Sequence, residues 1–208
     1  EYEMQQWLAE AFRRDGLITE DLPIVAVNGN SGNPHYEPKA EGSSRMKPGD
    51  FVLLDLWAKT SAPEAVYYDI TWTGVIGSPS EQQQKVFEIV CNARDAGVKK
   101  AQDAFAAKRK IGGWEVDQAT REVITSAGYG QYFTHRTGHS IGTSVHGNGA
   151  NMDNLETKDD REIIPNTCFS VEPGIYLPEF GVRSEVNVLI HNGAAEVTGK
   201  IQRELVLI

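Results

Sequence analysis

Apolar and polar positions change period several times along this chain. Met4, Trp7, Leu8 and Phe12 recur at helical spacing in EYEMQQWLAEAFRRDGL, which predicts a first helix. IVAVNGNSGNPHYEP reads as a strand running into a Gly-, Asn- and Pro-rich loop that carries His35. FVLLDLWAKT and VYYDITWTG are rich in β-branched and aromatic residues, and the link between them holds Pro63, so they predict strand, turn, strand. SPSEQQQKVFEIVCNARDAGVKKAQDAFAAKRK is a long amphipathic helix, opened by a Ser80–Gln83 capping box and ended by Gly112 and Gly113. WEVDQATREVITSAG is a shorter helix stopped by Gly128. CFSVEPGIYLPEFGVRSEVNVLI repeats the pattern of strand, turn and strand. The order of helix, strands, two helices and strands predicts an α+β fold with helices packed on a mostly antiparallel sheet.

Both hairpins carry acids where apolar residues belong. Asp55 and Asp69 are equidistant from Ala62 and are expected to face each other across the first. Like charges directly opposite one another are destabilising, and a carboxylate in an apolar setting is costly unless it is paired or metal-bound. Glu172 and Glu185 are likewise equidistant from a turn near Pro178–Glu179. Either hairpin alone is more often a solvated strand face. Two of them, embedded among Leu54, Leu56, Ile70, Val171 and Val186, are not explained that way. Between them, HRTGHSIGTSVHGNG holds His135, His139 and His146 among small residues that let backbone approach a ligand closely. Four carboxylates and an imidazole form a mixed oxygen and nitrogen set that suits a pair of divalent ions, Mn²⁺, Co²⁺, Fe²⁺ or Zn²⁺. Bridging carboxylates would hold such ions roughly 3.5–4 Å apart, the spacing that activates a shared water for hydrolysis.

Composition narrows the setting. The 208 residues are 40% hydrophobic and 24% charged, which suits one globular domain, residues 1–208, or two closely packed halves. A formal charge of −9 and a pI near 5.1 argue against a nucleic-acid surface. No apolar run is long enough to span a bilayer, so no membrane partner is expected. Two cysteines, Cys91 and Cys168, are too few for a disulfide framework and point to the cytoplasm. The chain opens on Glu1 without an initiator methionine, as a segment of a longer protein would. The acids in NGANMDNLETKDDREI, Asp153, Glu156, Asp159 and Asp160, are expected on a solvated loop.

The series Asp55, Asp69, His139, Glu172 and Glu185, in the contexts LLDLWA, YYDIT, GHSIG, VEPGIY and GVRSEV, resembles the pita-bread metallopeptidases of family M24. VEPGIY followed by FGVRSE is closer to its aminopeptidase P and prolidase branch. The resemblance spans essentially the whole chain. It implies a curved, mostly antiparallel sheet covered by helices in two pseudo-two-fold halves, with one helix and an N-terminal domain missing before Glu1. It implies an Xaa-Pro aminopeptidase or dipeptidase acting on peptides with proline in second position, with two divalent ions, Mn²⁺ foremost, and a homodimer in the full-length protein. It assigns Asp55 to the first metal, Asp69 and Glu185 to both, and His139 and Glu172 to the second. Glu172 would also shuttle a proton, and His146 would steady the scissile carbonyl and the tetrahedral intermediate. His35 would contact the substrate near its N-terminal side, and His135 and Arg183 would shape the proline-side pocket. Trp72 stands where the family often has arginine, but strand alternation points it away from the Asp69 face. The alternatives are a non-catalytic peptide-binding module on the same fold and a metal-free hydrolase; both lose the ligands retained here.

Overall fold

Three helices and eleven strands emerge from this pattern. The structure, a computed structural model, describes residues 1–208. Helix α1 (Tyr2–Arg14) leads into β1 (Leu17–Ile18), β2 (Ile24–Val27), β3 (Phe51–Thr60) and β4 (Tyr68–Val75). Helices α2 (Glu81–Ala106) and α3 (Gly113–Ser126) follow. The remaining strands are β5 (Ser140–Ile141), β6 (Cys168–Val171), β7 (Gly174–Tyr176), β8 (Gly181–Arg183), β9 (Val186–His191), β10 (Ala194–Thr198) and β11 (Val206–Leu207). One sheet runs β1-β3-β4-β11 with β2 also on β3, a second runs β10-β9-β6-β5, and β7 pairs with β8. Every pairing is antiparallel except β11 with β4.

Helix α2 opens where expected. Gln83 N–H donates to Ser80 Oγ at 3.2 Å, and Ser80 N–H donates to Gln83 Oε1 at 2.8 Å. It stops earlier than the glycines suggest. Lys108 takes a left-handed φ of 53°, and Arg109 N–H folds back onto the Ala104 carbonyl. Gly112 therefore caps the start of α3 instead of ending α2. Gly128, at φ 86°, does terminate α3. Helix α1 forms, but its apolar stripe is split: Leu8 and Phe12 are half-buried, Met4 and Trp7 are exposed, and Gln5 and Ala9 lie deepest. Gln5 is drawn inward by its amide, which donates to the Pro23 carbonyl.

The core lies under the helices. Val98, Ala101 and Ala104 of α2 pack on Phe169, Val171, Val186 and Val188 of the second sheet. Val86, Phe87 and Val90 of the same helix join Phe51, Val75 and Val182 in a second cluster. One helix thus clamps both sheets from outside and leaves their concave faces for chemistry. The sheets meet where Asn187 donates to the Asp69 carbonyl and Glu185 N–H donates to the Thr71 carbonyl.

Candidate metal centre

The first hairpin brings Asp55 and Asp69 to one face, but not opposite each other. Asp55 sits across from Thr71, and Asp69 across from Trp57. The cause is the turn: Ala65 N–H closes on the Ala62 carbonyl at 3.0 Å with Pro63 at its second position. That centres the hairpin on Pro63 and sets the acids on a diagonal, which eases their direct repulsion. Trp72 pairs with Leu54 on the other face, as alternation requires.

The second hairpin keeps the expected register on both sides of its acids, with Val171 opposite Val186 and Gly174 opposite Arg183. Between those pairs the ladder opens. Glu172 N–H turns out to the Thr137 carbonyl (2.7 Å), and Glu185 N–H to the Thr71 carbonyl. Pro173, lacking an N–H, sits in the break, and its carbonyl accepts from Ser184. Both glutamates thus leave the ladder, Glu185 towards the first hairpin and Glu172 towards the histidine segment.

Asp55, Asp69 and Glu185 each offer an oxygen within 4.8 Å of the other two, and all three are buried. His139 Nε2 lies 3.4 Å from Asp69 Oδ2 and 3.3 Å from Glu172 Oε1. The ring is aimed by its other nitrogen, since Nδ1–H donates to the Ser140 carbonyl at 3.1 Å. An Nε2 held between two carboxylates needs a positive partner there, either a proton or a metal ion. Burial pushes Asp69 up to about 7 against the pull of His139, with Asp55 and Glu172 adding to the rise. Burial and then the neighbouring acids Asp69, Glu172 and Asp55 raise Glu185 well above the usual carboxylate range. Burial works to lower His139, but its bond to Asp69 and the charge of Glu172 outweigh it and leave it raised. Asp55 Oδ1 and Glu185 Oε1 are buried without any hydrogen-bond partner. Orphaned anionic oxygens beside a bare imidazole nitrogen are the donor set that hard and borderline divalent ions satisfy. These residues fit divalent metal.

Around the cluster lies a cavity of about 320 Å³ whose walls include His35, His135, His146, Arg136 and Arg183. His146 packs edge-on against His139, centroids 4.3 Å apart. Partial burial, then the charges of His139 and Arg136, hold it below the ordinary histidine value. His135 donates from Nδ1 to the Arg136 carbonyl (2.7 Å), so its Nε2 accepts from the Tyr176 hydroxyl at 2.6 Å. Burial and the charge of Arg183 lower its pKa, keeping it neutral. Arg183 is enclosed: its guanidinium reaches Asp55 at 2.5 Å, Tyr176 at 2.9 Å and Thr71 at 3.0 Å. His35 stands exposed at the cavity edge, its N–H on Asn33 Oδ1.

Sequence reasoning missed Thr71, Tyr176 and the support from α3. Thr71 Oγ donates to Glu185 at 2.8 Å, and Ser170 Oγ donates to Glu172 at 2.9 Å. On α3, the buried Asp117 pairs with Arg121 and accepts from Thr137 N–H, while Arg121 donates to the Phe133 and His135 carbonyls. The acidic loop is not simply solvated either. Asp153 is buried and accepts from three successive N–H groups, those of Leu155, Glu156 and Thr157, and Asp159 is buried against Arg161 and Asn151. Of the four acids named above, Glu156 and Asp160 are exposed, and Glu156 reaches the cavity. The spacing of two acids to following N–H groups was the available signal.

Residues 1–192 match metallopeptidase family M24. The chain is 36% identical over 184 residues to an Xaa-Pro dipeptidase of Pyrococcus furiosus, covering 88% of this chain and 48% of that protein. Its fold superposes on a prolidase of Thermococcus sibiricus with a TM-score of 0.85 at 31% identity, covering 100% of this chain and 53% of the other. An X-Pro aminopeptidase of Thermotoga maritima gives 0.86 at 29%, covering 100% and 55%. The chain spans about half the length of the curated relatives it matches.

Proposed function

The chain belongs to metallopeptidase family M24, in its prolidase and aminopeptidase P branch and with the pita-bread α+β fold, and from that premise we propose that residues 1–208 form the catalytic domain of a two-metal exopeptidase. Its reaction is hydrolysis of the N-terminal peptide bond of substrates with proline in second position. The observation that carries this reading is the convergence of Asp55, Asp69, His139, Glu172 and Glu185, two of whose carboxylate oxygens are buried without a donor. The names borne by the relatives, Xaa-Pro dipeptidase, prolidase and X-Pro aminopeptidase, support proline as the selected residue. A peptide-binding module without catalysis has no use for such a cluster.

In this reading Asp55, Asp69, His139, Glu172 and Glu185 would hold the two ions. When bound, the ions supply a polarised scissile carbonyl and a water of lowered pKa. Glu172, with Ser170 fixing one of its oxygens, accepts the proton that the attacking water gives up and passes it to the departing nitrogen. His146, neutral near pH 7, donates an N–H to the oxyanion as charge develops there. His35 meets the N-terminal side of the substrate, and His135 with Arg183 forms a rigid wall on the proline side. Mn²⁺ is the proposed ion, the cytoplasm the proposed setting, and a homodimer the proposed assembly of the longer protein. No helix is long and apolar enough to cross a membrane.

The test is metal content by elemental analysis after Mn²⁺ loading and desalting, together with hydrolysis of Ala-Pro and longer Xaa-Pro peptides. About two ions per chain with proline-dependent cleavage is the expected result. Asp69→Asn should lose both ions and turnover, and hydrolysis retained in that variant would sink the mechanism.

A further inference from the structure

The two large apolar clusters lie under the helices, but a third stands apart beside the catalytic cavity. It consists of Tyr67, Ile141 and Val145, with Trp57 packed against it, and both Trp57 and Val145 line the cavity. The cluster joins two stretches that no strand pairing connects, the end of the first hairpin and the loop over residues 140–147. The ladder between β3 and β4 stops at Ala58 opposite Tyr68. Just past it, Tyr67 N–H donates to the Gly142 carbonyl at 2.9 Å. Lys59 Nζ, 5.1 Å from the centre of the Tyr67 ring, donates to the Thr143 carbonyl at 2.6 Å. At its base the loop is closed by Gly147 N–H on the Ser140 carbonyl (2.6 Å), the same carbonyl that orients His139. Val145 is 7% exposed in this cluster, while the next residue, His146, opens into the cavity.

We propose that Tyr67, Lys59 and Val145 are positioning residues for His146, and that the end of the first hairpin holds the loop from which that imidazole meets the substrate. The inference rests on the peptidase reading above, in which His146 donates to the oxyanion. Between Gly142 and Gly147 the sole apolar side chain is Val145, and the glycines at either end leave the backbone free to swing. Burial of Val145 removes that freedom right beside His146. The bonds from Tyr67 and Lys59 to two successive carbonyls fix the other side of the loop. An oxyanion donor must reach a position that fills with charge only in the transition state, so a small displacement costs it most of its effect. The same hairpin carries Asp55 and Asp69. A single element therefore sets the spacing between the metal centre and the oxyanion donor.

Steady-state kinetics on the Mn²⁺-loaded chain with Ala-Pro separate positioning from mere support of the fold. Tyr67→Ala and Val145→Ala should each lower kcat about 10–100-fold, the cost of a misplaced group, with KM and metal content little changed. Tyr67→Phe should keep the unaltered rate, and Lys59→Met should show a smaller loss of the same kind. The sharper comparison is made in a His146→Ala background. There Tyr67→Ala should lower kcat by no more than about twofold, because the group it positions is gone. A full further loss in that background means that Tyr67 only supports the fold and overturns the proposal, as does a Tyr67→Ala variant that keeps its rate. Imidazole NMR spectra of the Zn²⁺-loaded chain read the same contact without turnover. The His146 signal, identified by its loss in His146→Ala, should shift or broaden in Val145→Ala and Lys59→Met while that of His35 stays. An unmoved His146 signal overturns the assignment even where rates fall. If the unaltered chain never hydrolyses Ala-Pro, the peptidase reading fails, and a His146 signal displaced in both variants leaves the positioning of that ring standing.

Discussion

His139 keeps its aim through its neighbours as much as through its ligand partners. Its N–H donates to Ser170 Oγ, its carbonyl accepts from Ser170 N–H, and the preceding Gly138 lies so close that a Cβ there would stand 2.0 Å from the Ser170 carbonyl oxygen. Gly138→Ala should therefore cost about 2–4 kcal/mol in urea unfolding and lower metal retention, because backbone must move. Unchanged stability and full metal content would refute that account. His146→Ala, which removes a donor and no metal contact, should lower kcat by roughly 10²–10³ with little change in metal content. Steady-state kinetics beside elemental analysis checks it, and lost metal would make His146 a structural residue. The clustering of these acids was legible in the sequence because an acid embedded in an apolar strand is an anomaly that demands a partner. Tyr176 and Thr71 carried no such anomaly, since a tyrosine or threonine in a strand is ordinary. Their roles depend on Arg183, which reaches Tyr176 within its own hairpin and Thr71 on the first sheet.

Elements show where one-dimensional patterns are reliable and where tertiary contacts take over. The capping box fixed the start of α2 because both its bonds are local. Its end was misplaced because Lys108 adopts a left-handed conformation that only the closing bond to Ala104 explains. A turn of known type, read one residue further along, would have set Asp55 and Asp69 on their diagonal. The loop from Asn151 to Arg161 looked like solvent-facing polarity because its compensating donors are its own backbone. Arg161 and the N–H groups that Asp159 accepts overcome its burial and hold its carboxyl below the ordinary value. Because the folded value is depressed, the stabilisation is complete above the unfolded-state value near ~4 and disappears as pH falls through the folded one. Asp159→Asn should thus cost about 1–3 kcal/mol at neutral pH and little under acid conditions. Urea titrations across that range test it, and a cost independent of pH would count against the ion pair. On α3, Asp117→Leu strands Thr137 N–H and Arg121 together, and a loss of about 3–5 kcal/mol is expected in the same assay. A loss below 1 kcal/mol, by the same measure, would mean that α3 does not hold the histidine segment.

At the scale of the molecule, two sheets meet under one long helix, and the centre lies at their junction. The fold class was legible from the order of helices and strands, while the meeting of the sheets was not, because Asn187 and Glu185 bond to backbone carbonyls more than a hundred residues earlier. The five candidate ligands come from separate stretches between Asp55 and Glu185, so they are neighbours only when the whole chain has folded. Whatever binds there selects the native state, adding about 2.7 kcal/mol at a free ion concentration a hundredfold above Kd. Chelation should accordingly lower the melting temperature of the unaltered chain and leave that of Asp69→Asn unchanged, as scanning calorimetry with and without EDTA would record. Equal shifts in both would detach stability from the cluster. The same coupling ties lifetime to nutrition: a cell short of divalent ions would hold more of this chain open to its proteases, and supply of the ion would govern abundance as well as turnover.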